Sequence, residues 1–472
     1  MKSSLSDGLQ FSKDRVETLE EYPADFLWGV ATAAFQIEGA AQEGGRGPSI
    51  WDTFSHTPGL THNGDNGDIA TDHYHRWESD LDLMAELGIR AYRLSLSWSR
   101  LQPAGQGPLN QEAVDFYRSL LLGLRERGIE ALVTLYHWDL PQPLEELGGW
   151  PNRRTAYFFA DYVSLVLAEL ADLATDWITI NEAWCVSFLG YGNGAHAPGR
   201  KNIKDAVAAG HHLNLAHGLA VAQFRRVAPQ LRVGITNIVT DIFPASESAE
   251  DALAVERLDA SSNRFFLDPV LLGDYSPVVR TTLKEFGLDD LIHKGDLELI
   301  GAPTDFAGVN HYQRVVAWAE EGAGFLNLGE RPAEPALTSL GWSVIPDSLY
   351  NVLVRVAREF TDLPIYVTES GACFDDYLDP NGRVIDSERV SYFSRYLTAV
   401  GKAIREGVNL KGYFAWSFLD NFEWAEGYRK RFGIVYVDFR TQERIPKASA
   451  YWYRQLIADH RDLQSEQEST AV

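Results

Sequence analysis

The sequence predicts an α/β fold, a single (β/α)8 TIM barrel with extended βα loops. Two observations predict it. Eight apolar, strand-like runs recur along the chain, and helix-period segments separate most of them. The runs are near-continuously apolar rather than alternating, which fits a parallel sheet covered on both faces. At 472 residues the chain could hold two or three average domains. No linker, short-period repeat or composition shift divides it, and eight such units close most naturally into one barrel.

The strands are expected at Phe26–Gln36, Ala91–Trp98, Ala131–Tyr136, Trp177–Asn181, Val233–Val239, Phe306–Tyr312, Ile365–Thr368 and Gly412–Phe418. Helical periodicity marks Trp77–Leu87, where Leu81, Met84, Ala85 and Leu87 are apolar and Gly88 is a stop. Gln111–Arg127 starts after Asn110 as a cap and ends at Gly128. Ala156–Leu173, Ala206–Val227, Ser348–Phe360 and Val390–Ile404 repeat the pattern. Residues 1–20 read as a charged N-terminal extension without a leader-like apolar segment, 21–458 as the barrel, and 459–472 as a loose polar tail.

Composition excludes several partners. Hydrophobic residues make up 45% of the chain, enough for a large core, and the formal net charge is −24. That balance argues against nucleic acid and against anionic membrane surfaces. No apolar run reaches the length of a spanning helix. Two cysteines, Cys185 and Cys373, fit a reducing compartment and read as small buried apolar residues. The cytoplasm is the expected location. His211, His212 and His217 do not share a helical face, and no metal or cofactor is expected. The run Arg429-Lys430-Arg431 reads as a solvated loop. Asp72, His73 and His75 lie on a loop that either shapes the site entrance or does not. Oligomeric state is left open.

Active sites of such barrels lie at the carboxyl ends of the strands. Seven of the eight predicted ends carry polar or aromatic groups. They are Gln36 and Glu38; Arg93 and Trp98; His137, Trp138 and Asp139; Asn181, Glu182 and Trp184; Asn310, His311 and Tyr312; Glu369; and Trp416, Asp420, Asn421, Glu423 and Trp424. His311 fits a core histidine and a subsite wall equally. Carboxylates and amides fork to neighbouring hydroxyls, and indole faces stack on the C–H faces of a sugar ring, so the set suits a neutral polyol. Glu182 and Glu369 each follow an apolar run, where a carboxylate is costly unless something uses it. They are the candidate catalytic pair.

The chain resembles glycoside hydrolase family 1, the β-glucosidase family, from about Tyr22 to Tyr453. The stretches that carry the likeness are Phe26-Leu-Trp-Gly-Val-Ala-Thr-Ala-Ala-Phe-Gln-Ile-Glu-Gly39, Tyr92-Arg-Leu-Ser-Leu-Ser-Trp-Ser-Arg100, His137-Trp-Asp-Leu-Pro141 and Ala415-Trp-Ser-Phe-Leu-Asp-Asn-Phe-Glu-Trp424. The resemblance implies a retaining exo-β-glycosidase acting on a small-molecule, unphosphorylated β-glycoside. Glu369 would be the nucleophile and Glu182 the acid/base, with Arg93, Asn181 and Tyr312 in support. Carboxyl groups of a retaining pair stand about 5–5.5 Å apart. Gln36, His137, Asn181, Glu423 and Trp424 would bind sugar hydroxyls, Trp416 would floor the ring, and Trp342 would face the aglycone. Glu423 would repel a 6-phosphate. Glucose, galactose and fucose remain open, as does the aglycone. Two positions depart from the family pattern: Ala183 where Asn-Glu-Pro is usual, and Ser370 where Thr-Glu-Asn-Gly is usual. They motivate the alternative of a transglycosidase or specialised natural-product glycosidase. A sugar-binding relative without catalysis is the alternative of another class.

Overall fold

The computed structural model describes residues 14–334 and 337–470. Eight parallel strands close into a barrel. They are β1 (Leu27–Ala31), β2 (Ala91–Ser95), β3 (Glu130–Tyr136), β4 (Asp176–Asn181), β5 (Arg232–Ile238), β6 (Phe306–Asn310), β7 (Ile365–Ser370) and β8 (Leu410–Trp416). Each pairs with its sequence neighbour, and β8 closes on β1 from Leu27 opposite Gly412 to Ala31 opposite Trp416. A major helix follows each strand: α1 (His73–Glu86), α2 (Gln111–Glu126), α3 (Arg154–Leu170), α4 (Ile203–Val227), α5 (Ala249–Asp259), α6 (Pro346–Glu359), α7 (Ser387–Arg405) and α8 (Ala448–Thr470). All eight expected strands are present, because each apolar run has a helix over its outer face and the filled barrel behind it.

Caps fix where helices begin. The Asn110 side chain accepts the Glu112 N–H at the start of α2, and Asn202 accepts the Lys204 N–H at the start of α4. Two small sheets decorate the carboxyl-end loops: a three-stranded one from Asp241–Pro244, Arg314–Ala319 and Leu328–Pro332, and a hairpin of Val435–Asp438 with Glu443–Pro446.

Register slips at the carboxyl ends of the two strands that lead to the candidate glutamates. Between Ile178 and Asn181 the pairing of β4 with β5 shifts, and beyond Val367 the pairing of β7 shifts against both neighbours. Such irregularities turn side chains off the pleat and re-aim them. Gly371 then lets β7 pass against β8: a Cβ there would lie 1.8 Å from the Trp416 carbonyl oxygen.

Three expectations about boundaries need correction. β1 ends at Ala31, and Gln36 lies in a separate helical turn, Ala34–Ile37. That turn is buried on every residue, so apolar character alone could not separate it from the strand. Residues 1–13 of the expected extension lie outside the described residues, but Val16 and Thr18 are buried against α7, where Thr18 Oγ1 donates to the Thr398 carbonyl at 3.1 Å. The expected loose tail from 459 is instead the end of α8, which runs to Thr470. His460 anchors it beneath the barrel, its Nδ1 accepting the Trp28 indole N–H at 3.1 Å. A polar face on an otherwise helical segment reads as a tail because the contacts that bury it, from His460 and Gln464, are themselves polar. His460→Ala leaves the buried Trp28 donor unpaired and is expected to cost about 1–3 kcal/mol. The midpoint of denaturant unfolding measures it.

Candidate active site

The upper interior of the barrel is polar. Thr236 Oγ1 donates to Thr368 Oγ1 at 3.2 Å, Thr368 Oγ1 donates to Asn310 Oδ1 at 2.7 Å, and Asn310 Nδ2 donates to Glu182 Oε1 at 2.6 Å. A short chain of hydroxyls thus orients the Asn310 amide toward the carboxyl on β4.

Arg93, fully buried on β2, ties the two candidate glutamates into one network. Its Nη1 pairs with Glu369 Oε1, while its Nη2 donates to Asn181 Oδ1 at 2.6 Å. Asn181 Oδ1 also accepts from Asn310 Nδ2 at 3.1 Å, which returns the network to Glu182. Tyr312 OH donates to the other oxygen of Glu369 at 2.6 Å. Both glutamates are buried, at 3% exposure each. Their surroundings differ. Glu369 has a cation and a phenol on its two oxygens. Glu182 has an amide and a thiol, and burial first, then the Glu369 charge, hold its carboxyl well above the usual range. The two carboxyl groups of one network therefore sit in unlike settings. Burial and the Glu369 charge also keep the Tyr312 phenol protonated as a donor.

His137 leaves β3 and lies parallel to two indoles, with centroids 6.0 Å from both Trp416 and Trp424. Its Nε2 accepts the Asn181 Nδ2 donor at 3.1 Å, and burial, then Arg93, push its pKa well below the usual histidine range. The ring is neutral, with its proton assigned to Nδ1 by that network. Among the described residues Nδ1 has no hydrogen-bond partner, nor has Gln36 Oε1, although both are buried. Gln36 Nε2 donates to Asn421 Oδ1 at 3.0 Å and to the Phe422 carbonyl at 2.9 Å, which aims Oε1 away from β8. Glu423 stands beside it at 3.5 Å, its carboxyl raised by burial and by Glu369. Trp342 packs 5.2 Å from the Tyr312 ring, between Tyr312 and Phe432. Trp138, Glu182 and Trp424 all take left-handed backbone, with φ of 76°, 49° and 50°. For residues of this size that conformation costs about 1–3 kcal/mol each and clusters at functional sites.

Other strand-end residues do structural work. Glu38 accepts from Arg100 Nε at 2.9 Å and Tyr117 OH at 2.6 Å. Asp420 holds Lys447 at 2.7 Å and Arg431 at 2.6 Å. His311 is a core histidine, bound to the Val239 carbonyl at 2.8 Å and Ser348 Oγ at 2.7 Å. His211, His212 and His217 reach Asp296, the Trp150 carbonyl and Thr179, each through its own bond. His73 pairs with buried Asp80 at 2.8 Å, and Asp72 holds His75 at 2.6 Å at the start of α1. Burial raises the Asp139 carboxyl to about 8, so it is a neutral acid at pH 7.

Two readings of the sequence are corrected here. The run Arg429-Lys430-Arg431 is a loop that is solvated only in part, with Arg429 exposed and Lys430 and Arg431 half-buried. Arg431 lies over the Tyr436 and Phe439 rings as well as on Asp420, Lys430 bonds the Ser339 carbonyl, and Arg429 pairs with Glu426. The cysteines are buried but not merely apolar fillers: Cys185 Sγ donates to Glu182 Oε2 at 3.1 Å, and Ser339 Oγ donates to Cys373 Sγ at 3.2 Å. Sequence reasoning also passed over Asn310 as a partner of Glu182. Its signal was its place at a strand end. Ala183 accepts from Ser187 Oγ at 2.7 Å through its carbonyl, and Ser370 Oγ lies 3.0 Å from Tyr392 OH. Neither departure removes a contact to a glutamate carboxyl.

Known proteins resemble this chain over nearly its whole length. The model of glycosyl hydrolase family 1 matches residues 18–462. Beta-glucosidase A of Acetivibrio thermocellus is 44% identical over 444 residues, covering 93% of this chain and 98% of that protein. A bifunctional beta-D-glucosidase/beta-D-fucosidase of Bifidobacterium breve is 44% identical over 462 residues, covering 93% and 98%. The family 1 β-glucosidase of Thermotoga maritima, solved in complex with isofagomine lactam, superposes with a TM-score of 0.89 at 44% identity, covering 93% of this chain and 99% of that one.

Proposed function

The chain belongs to glycosyl hydrolase family 1, and from that premise we propose that it is a retaining exo-β-glycosidase, a β-glucosidase that also accepts β-fucosides and β-galactosides. The observation that carries the reading is the unequal setting of the two buried carboxyls. Glu369, held by Arg93 and Tyr312, is the nucleophile, and Glu182, raised by burial and by Glu369, is the acid.

The steps follow from that asymmetry. A Glu369 oxygen attacks the anomeric carbon while the glycosidic C–O bond breaks, and Glu182 gives its proton to the leaving oxygen. The ester that forms removes the negative charge of Glu369, so the Glu182 pKa falls and the carboxylate can take a proton from water. Water then attacks the anomeric carbon, the ester bond breaks, and Glu369 leaves as carboxylate. Two displacements retain the β configuration.

The sugar sits where polar atoms lack protein partners. Gln36 Oε1 accepts from a hydroxyl and His137 Nδ1 donates to one. Asn181 holds the 2-hydroxyl, where contacts strengthen in the transition state. Glu423 and Trp424 bind hydroxyls at the far side of the ring, Trp416 floors it, and Trp342 meets the aglycone. Glu423 offers a 6-phosphate no cation, which leaves unphosphorylated glycosides, short β-1,4-glucans among them. Two reduced, buried cysteines suit a reducing compartment, so the cytoplasm is the proposed place of action.

The wild-type protein is expected to turn over aryl β-D-glucoside and to release the sugar first as its β-anomer by proton NMR. Rates on β-D-glucoside, β-D-fucoside and β-D-galactoside rank the substrates. First release of the α-anomer would sink the retaining assignment. Binding without turnover of any of the three would favour a silent sugar-binding protein.

A further inference from the structure

We propose that Cys185 is a positioning residue for the proton-transfer group, holding the one oxygen of Glu182 that carries the proton and switching between donor and acceptor as Glu182 alternates between acid and base. The assignment rests on the acid/base reading given above and goes beyond it, because it names the oxygen that works and the side chain that serves it.

The two oxygens of Glu182 are not equivalent. Oε1 receives the Asn310 amide N–H at 2.6 Å. That amide cannot turn round, because its Nδ2 also serves Asn181 Oδ1 at 3.1 Å, an oxygen that Arg93 holds as an acceptor. A flipped Asn310 would set its oxygen against Asn181 Oδ1, which already accepts from Arg93. Oε1 is thus fixed as the acceptor oxygen of the acid, and the proton belongs on Oε2. Among the described residues, the hydrogen bond on Oε2 is that of the Cys185 thiol at 3.1 Å.

The thiol is placed for that contact by the chain itself. Cys185 lies three residues beyond Glu182, at the start of the π-helical turn Cys185–Gly192, with 5% of its surface exposed. Burial first, and the Glu182 charge second, keep the sulfur protonated. A protonated thiol donates weakly to a carboxylate and accepts weakly from a carboxylic acid. It can therefore stay on Oε2 in both halves of the cycle without reorganisation. The charged and titratable groups around Glu182 are Glu369 from β7, Arg93 from β2, Tyr312 after β6 and Glu423 after β8. Glu369 opposes ionisation of Glu182 and Arg93 favours it. Cys185 adds a donor that favours the ionised form when water must be activated.

The test compares Cys185→Ala with Cys185→Ser in pH profiles of kcat/KM and in kcat on a dinitrophenyl β-D-glucoside, whose good leaving group makes the water step limiting. Losing the donor is expected to raise the basic limb of the Ala variant by about half a pH unit and to slow the water step several-fold. The Ser variant keeps a donor and is expected to hold the limb at or below the wild-type position. Cys185→Val repeats the comparison with the space filled, which separates a cavity effect from a lost donor. Limbs that coincide in wild type, Ala, Val and Ser overturn the proposal, as does a shift that the Ser variant shares with Ala. Failure of the underlying acid/base reading looks different: wild type itself then lacks a basic limb.

Discussion

Glu369→Ala is expected to lower kcat on aryl β-D-glucoside by roughly five orders of magnitude, the scale seen when a nucleophile that acts as part of a unit is removed. The reason is geometric. The two oxygens of Glu369 meet Arg93 Nη1 and Tyr312 OH, and both donors are buried. Shortening the side chain leaves the cation and phenol facing a cavity with no atom to attack the anomeric carbon. The sugar-binding groups stay in place, so affinity for glucoside changes far less than turnover. Azide or formate added to the variant should enter the space vacated by the carboxylate and attack in its stead. A single displacement inverts the anomeric carbon, so azide should yield the α-glycosyl azide. A steady-state assay with product NMR reads both effects. Activity within about tenfold of wild type would remove Glu369 from the reaction, because no positional effect of that residue alone would be so small.

Much of this site is legible in the sequence because the barrel places strand ends together. Arg93, Asn181, Tyr312 and Glu369 come from four strands, and once eight runs are read as eight staves their ends must converge. What a strand end carries is therefore visible, and what it touches is not. Glu38 and Asp420 sit at strand ends like Glu182 and Glu369, yet each is matched by arginine or lysine supplied from elsewhere in the chain. Local sequence cannot show that Arg100 or Lys447 will arrive. His311 illustrates the same limit. It precedes Tyr312, which reaches Glu369, but its own ring turns outward to Val239 and Ser348. His311 and Tyr312 both lie just past the end of β6, where the pleat no longer sets which way a side chain turns. Cys185 was the harder case. A cysteine in an apolar segment has every appearance of core, and its value lies in one contact to a residue three positions back. α8 failed for the opposite reason. Its last turns are polar, so the buried His460–Trp28 bond, 432 residues apart in sequence, left no periodic trace.

Glu182→Ala is the second large effect, and its signature is a dependence on the leaving group. A leaving oxygen of high pKa needs the proton that Glu182 supplies, whereas a dinitrophenolate leaves without it. General acid catalysis contributes about 10²–10⁴-fold. Turnover of an alkyl β-D-glucoside should fall by that range, while formation of the glycosyl-enzyme from a dinitrophenyl β-D-glucoside should be nearly unaffected. The second step then stalls, because no base remains to activate water and the ester on Glu369 accumulates. A burst of dinitrophenolate followed by slow steady turnover is the expected trace. Azide needs no base, so it should restore the rate and give the β-glycosyl azide, the configuration opposite to that expected from Glu369→Ala. The pH profile should change as well. In wild type Glu182 works as the protonated acid, and its raised pKa means that activity is retained as pH rises past the ordinary carboxylate range and is lost as pH passes through the raised value. The Ala variant has no such group, so its basic limb should vanish. Equal losses on alkyl and dinitrophenyl substrates, with the limb intact, would assign the proton to a different residue. Glu423, raised by burial and by the Glu369 charge, is the carboxyl group to which that result would point.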